Sequence, residues 1–131
     1  MRDSFMLPEK LRDQQAEIIQ VKVDRFQFFI FKHENQIFLP TNEGLRVIGV
    51  NISWISAMGT KRRRMLLNRG FSFKEKLLCY QIPSRPNNFF FASSYTWLDW
   101  LKVWSYFASR GNAKAAQLLR FLAEPGLEHF I

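Results

Sequence analysis

The chain has 131 residues, 47% of them apolar and 16% aromatic, with 19 Lys and Arg against 11 Asp and Glu for a net charge of +8. One domain's length with that apolar content can bury a core, which excludes a disordered basic tail. Apolar runs of only a few residues, such as FFIF, exclude a membrane-spanning helix, which needs roughly 18 to 20.

Residues 1–17 alternate charges and lack the apolar block of a secretion signal. They read as an arm or a short helix starting at Pro8, and the chain is expected in the cytoplasm. Residues 18–131 contain no repeat, low-complexity tract or Gly/Ser linker and read as one domain. EIIQVKVD and RFQFFIFK hold the β-branched and aromatic residues of strands, with KHEN, His33 included, as the turn into QIFLP. Thr41 then reads as the N-cap of a short helix NEGLRVI that a left-handed Gly49 ends. A second short helix is expected from Ile52 to Met58, and a third from an N-cap at Thr60 through KRRRMLLNR to Gly70. KLLCYQI and NFFFAS follow as strands joined by the turn PSRPNN. Within the first of them the single cysteine, Cys79, reads as a small buried hydrophobe and excludes an intrachain disulfide framework. Ser93 or Ser94 is expected to cap a helix YTWLDWLKVWSYFAS that stops near Gly111. Asn112 is expected to cap the last helix, AKAAQLLRFLAE, which Pro125 ends. This order makes an α+β domain: antiparallel β-hairpins, short helix-turn-helix-like helices inserted between them, and two C-terminal helices.

The helix near residues 95–109 places Trp97, Leu101, Trp104 and Ala108 on one stripe, with Leu98, Trp100 and Phe107 beside it. Such a stripe reads first as core. Because the helix is apolar nearly all round, Trp97, Trp100 and Trp104 also form a candidate oligomer or partner interface.

Lys and Arg minus Asp and Glu, counted by segment, give 5 − 5 for residues 1–25, 2 − 2 for 26–60, 7 − 1 for 61–76, +1 for 77–98 and 4 − 3 for 99–131. Thus +6 of the +8 lies in KRRRMLLNRGFSFKEK. A solvated surface helix normally mixes both signs, whereas Glu75 is the lone acid here. A concentrated positive face attracts polyanions, with nucleic acid the first candidate and a membrane surface its competitor.

Catalytic patterns are missing. His33 and His129 sit in no ligand or base-nucleophile spacing, no acid-x-Lys tripeptide of the restriction-nuclease type occurs, and the six glycines form no phosphate loop. A nuclease of unfamiliar design would have to draw on Asp24, Glu34, Glu43 or Asp99, which no spacing pairs. The expectation is therefore a non-enzymatic protein without cofactor or metal.

Ile48, Gly49, Val50, Ile55 and Met58 match the apolar spacing of two short helices packed across a glycine turn, although Leu45 stands where such motifs place a small residue. On that reading Asn51, Ser53 and Ser56 face base edges or phosphates. Lys61, Arg62, Arg63 and Arg64 grip phosphates, no more than three of them at once because four consecutive residues sweep round a helix, and Arg69, Lys74 and Lys76 extend the basic surface.

The element order resembles the small N-terminal domains of phage and viral antirepressor-type proteins, the BRO-N and KilA-N group. A hairpin, VKVDRFQFFIFKHENQIFLP, leads to a helix and glycine turn, EGLRVIGV, then to a basic stretch, a second hairpin and the ending RGNAKAAQLLRFLAEPGLEHFI. The resemblance spans residues 18–131 and implies a non-enzymatic DNA-binding or regulatory module. The expected partner is double-stranded DNA, with a homodimer or protein partner beside it. The rival expectation is an adaptor or inhibitor whose basic patch docks on an acidic protein. RNA binding through exposed Phe residues is disfavoured, because those residues alternate as strand cores do.

Overall fold

The computed structural model describes residues 13–123. Alternation of buried and exposed side chains marks β1 (Glu17–Val23) and much of β2 (Phe26–His33), whereas β3 (Gln36–Pro40) ends in three consecutive buried residues. Two short helices follow, α1 (Thr41–Arg46) and α2 (Thr60–Asn68), then β4 (Lys76–Ile82), β5 (Arg85–Thr96), α3 (Trp97–Ser109) and α4 (Ala113–Ala123). The strands form one antiparallel sheet in the order β1-β2-β3-β5-β4, and the domain is α+β.

The segment leading into β1 reaches the other edge of the sheet: Ala16 N–H donates to Cys79 O of β4 at 2.7 Å, and Gln15 bridges Cys79 in parallel. One sheet face packs Val21, Val23, Phe28, Ile30 and Leu39 against residues of the four helices. The other face encloses a smaller core of Phe31, Phe38 and Leu78, flanked by Ile18, Phe29 and Tyr80. Cys79 is fully buried, and burial pushes its thiol pKa up.

Two fully buried indoles join the sheet to the helices. Trp100 Nε1–H donates to Leu39 O at 3.0 Å and Trp104 Nε1–H to Gly44 O at 2.9 Å. Gly44 is small because the Trp100 ring lies on it: a Cβ there would sit 2.4 Å from ring carbons. The small residue expected at position 45 is therefore at 44, and it admits α3 rather than a second short helix. Leu45 is core. Glu43, also buried, accepts Phe29 N–H at 3.0 Å where β3 has turned away from β2 into α1, and Arg46 pairs with the same carboxylate at 2.8 Å.

Several local expectations are corrected. Residues 52–57 form turns instead of a helix. Asn51 Oδ1 accepts Ser53 N–H (2.9 Å) and Ser53 Oγ–H (2.7 Å), offering the backbone a local alternative to helical bonding. Pro40 and Gly59, not Thr41 and Thr60, are the N-caps of α1 and α2; Thr41 Oγ1 donates instead to Ser93 O at 3.1 Å. Ser93 and Ser94 lie inside β5, where Ser94 pairs with both Pro40 and Lys76, so the α3 cap falls to Thr96, which accepts Asp99 N–H. The PSRPNN turn shrinks to Pro83 and Ser84, because Ile82 already pairs with Arg85. His33 is the last residue of β2, buried, with Nδ1 3.0 Å from Gln15 O; the turn is Glu34 and Asn35, both at positive φ. Asn112 caps α4 as expected, its Oδ1 accepting Ala115 N–H at 2.9 Å. The arm or helix start at Pro8 and the stop at Pro125 lie outside the described residues.

Replacing Gly44 with Ala is expected to cost about 1–3 kcal/mol through the overpacked Trp100 contact, read as a lower denaturant midpoint at unchanged slope. A second outcome concerns alkaline pH. Burial, aided by Glu43, pushes the Tyr80 phenol up from its ordinary value. Burial and then Glu75 do the same for Tyr95, against Arg63. A phenol raised in the folded state leaves stability intact below the unfolded pKa of about 10, and stability is lost as pH rises through the folded value. Unfolding free energy should therefore hold up to about pH 10 and fall above it, measured by urea titration across that range.

Candidate nucleic-acid interface

Helix α2, TKRRRMLLN, has one fully buried side chain, Leu66, with Met65 half-buried beside it. Its far end is pinned. Gly70, at φ +98°, lets Gly70 N–H reach Leu67 O and Phe71 N–H reach Leu66 O, each at 3.0 Å, and Phe71 buries beneath the turn. Ser72 then donates its N–H (2.9 Å) and hydroxyl (2.6 Å) to the buried Asp99 carboxylate at the start of α3. A short helix anchored mainly at its C-terminal half can leave its first turn outside the core, and Lys61, Arg62, Arg63 and Arg64 are all exposed.

The basic run divides between surfaces. Arg62 lies over Trp54 (5.7 Å to the ring centroid), and Trp54 packs on Phe107 (4.6 Å) and Tyr106 (5.7 Å) of α3. Arg69 and Arg110 both rest on Tyr106, at 5.2 and 5.1 Å, and Arg110 Nη2 donates to Met65 Sδ at 3.5 Å. Lys61, Arg62, Met65, Tyr106 and Arg110 thereby line a groove of about 480 Å³ between α2 and α3. Lys102 lies against Gly70, one turn of α3 before Tyr106.

Other expected contacts lie elsewhere. Arg63 lies over Phe73 at 4.1 Å and lines a different groove, of about 360 Å³, with Ser56 and Glu75. Lys76 sits 5.6 Å over Phe38 on the sheet face opposite the helices, apart from the rest of the run. Arg64 and Lys74 are exposed, Lys74 in the loop that Ser72 organises. Asn51 and Ser53 spend their side chains on each other, and Ser56 Oγ–H donates to Ser53 O at 3.1 Å. Trp100 and Trp104 are interior, which removes them from any interface, and half-buried Trp97 meets Trp104 edge-on at 5.4 Å.

Lys102, Tyr106 and Arg110 were not legible as site residues, because segment 99–131 is nearly neutral by count. Their spacing of four residues along α3 and its C-cap was the available signal, since i and i+4 share a helix face. The resulting face carries Lys61, Arg62, Arg69, Lys102 and Arg110. Among the described residues none of the five has a carboxylate within 4.0 Å; the close charge contacts are Arg46 with Glu43 and His33 with Glu34.

Of the carboxylates considered for a nuclease, Glu43 is held by Arg46 and Asp99 by Ser72, while Asp24 and Glu34 occupy separate hairpin turns. Among the described residues no three His, Cys, Asp or Glu side chains gather as a metal site, and no helix is long and apolar enough to cross a membrane. Compared with protein-family profiles, characterised proteins and solved structures, the chain finds no match.

Asp99→Asn is expected to cost about 1.5–3 kcal/mol, because it replaces two charge-assisted bonds from Ser72 with weaker neutral ones. Chemical denaturation measures the loss.

Proposed function

We propose that this chain is a non-enzymatic DNA-binding protein that grips the phosphate backbone of duplex DNA with the α2–α3 face, in a regulatory role of the antirepressor kind that its element order resembles. One observation carries the reading: five cations from two helices share a face on which no described carboxylate pairs with them. Guanidinium forks suit phosphate oxygens, and three of the arginines are already steadied on Trp54 and Tyr106. The same contacts favour duplex backbone over stacked single strands. Tyr106 is buried under its arginines and Trp54 packs on α3, so neither ring is an open platform for a base.

A second reading, docking on an acidic protein, is favoured by Leu67 on α2 and Leu98 on α3, which are 50% and 68% exposed on the helices that carry the cations.

If the five cations each neutralise one phosphate, the logarithm of affinity for duplex DNA should fall with the logarithm of salt at a slope of about −4 to −5. Replacing Arg62, Arg69 and Arg110 together with Ala should make that slope shallower by about 3 while circular dichroism stays unchanged. Electrophoretic titration at several salt concentrations measures both, and undetectable or salt-independent binding would exclude the duplex reading in favour of the protein partner.

A further inference from the structure

A second cationic cluster lies away from the α2–α3 groove, built from residues far apart in the chain. The β1–β2 turn, the end of α1 and the first turn of α4 enclose a pocket of about 210 Å³ lined by Arg25, Phe26, Gln27, Arg46, Val47 and Lys114. Both guanidinium groups are held by hydrogen bonds. Arg25 donates to Gln117 Oε1 and lies 5.7 Å over the Phe26 ring. Arg46 donates to Glu43 at 2.8 and 3.1 Å and to Gln27 O at 2.8 Å. Lys114 packs along Gly49, its Nζ 3.6 Å from where a Cβ would stand.

The charges do not balance. Glu43 neutralises Arg46, but among the described residues Arg25 and Lys114 meet only neutral groups, and none of those lining the pocket is an acid. The pocket thus holds a surplus of two positive charges among the described residues. Its volume is below the roughly 300–1,000 Å³ of sites for drug-sized ligands, which fits a compact oxyanion rather than a whole nucleotide. Two guanidinium groups and an ammonium suit a phosphate group with several acceptor oxygens, whether the singly charged phosphodiester or the doubly charged terminal phosphate. We propose that this pocket binds a phosphate group through Arg25, Arg46 and Lys114. The group is either a phosphodiester of nucleic acid or part of a small phosphorylated ligand, and occupancy does not depend on whether the α2–α3 face binds DNA.

Titration of the ¹⁵N-labelled full chain with inorganic phosphate, at ionic strength held constant with sodium chloride, tests this by amide shifts. Saturable shifts are expected near residues 25–27, 46–49 and 114–117. Lys114→Gln should weaken the phosphate affinity read at those amides at least tenfold, as should Arg25→Gln, whereas Arg85→Gln in the exposed β4–β5 hairpin should leave it unchanged. Absence of saturable shifts, or equal affinity in the wild type and both pocket variants, would overturn the proposal. Duplex titration of the Arg25→Gln, Lys114→Gln double variant separates the sources. A salt slope shallower by about 2 assigns a nucleic-acid phosphodiester, and an unchanged slope assigns a small phosphorylated ligand.

Discussion

The architecture turns on two indole N–H groups. Buried donors must find acceptors, and α3 delivers Trp100 and Trp104 to the carbonyls of Leu39 and Gly44, on either side of the point where β3 becomes α1. That placement fixes the approach of α3 to the sheet, and only glycine at position 44 admits the Trp100 ring. With α3 so fixed, Asp99 at its start reaches Ser72, and Tyr106 and Arg110 at its other end reach α2. The cationic face is a consequence of this joint as much as of the basic run.

The aromatic side chains at that face do two kinds of work. Trp54 and Tyr106 fill the seam between the turn segment after α1 and α3, and their outer surfaces steady Arg62, Arg69 and Arg110. A cation on a ring loses less conformational freedom on meeting a phosphate than a fully solvated one, because part of that ordering is present beforehand. In the pocket lined by Arg25, Arg46 and Lys114, a neutral amide and a carboxylate steady the two guanidinium groups in a similar way.

Much of the fold was legible from local chemistry. The alternation in EIIQVKV and FQFFIFKH, the turn residues between them and the left-handed glycines at 49 and 70 each act within a few residues, so the sequence alone locates them. The failures also have local reasons. Residues 52–57 show helical apolar spacing, but Asn51 captures the Ser53 backbone and turns win. Ser93 and Ser94 have cap chemistry, but pairing on both sides of β5 holds them in strand.

What the sequence determined by itself, then, is an α+β order of elements and a net charge concentrated in residues 61–76, because periodicity, turn propensity and charge are properties of neighbours along the chain. The tertiary structure decided which cations act together. It separated Arg63 and Lys76 from Arg62 and Arg69, added Lys102 and Arg110 from a nearly neutral segment, and assembled Arg25, Arg46 and Lys114 from three distant ones. The physical reason is that a charged face depends on which side chains leave the core in the same direction, and the packing of Trp100 and Trp104 against α1 sets that direction.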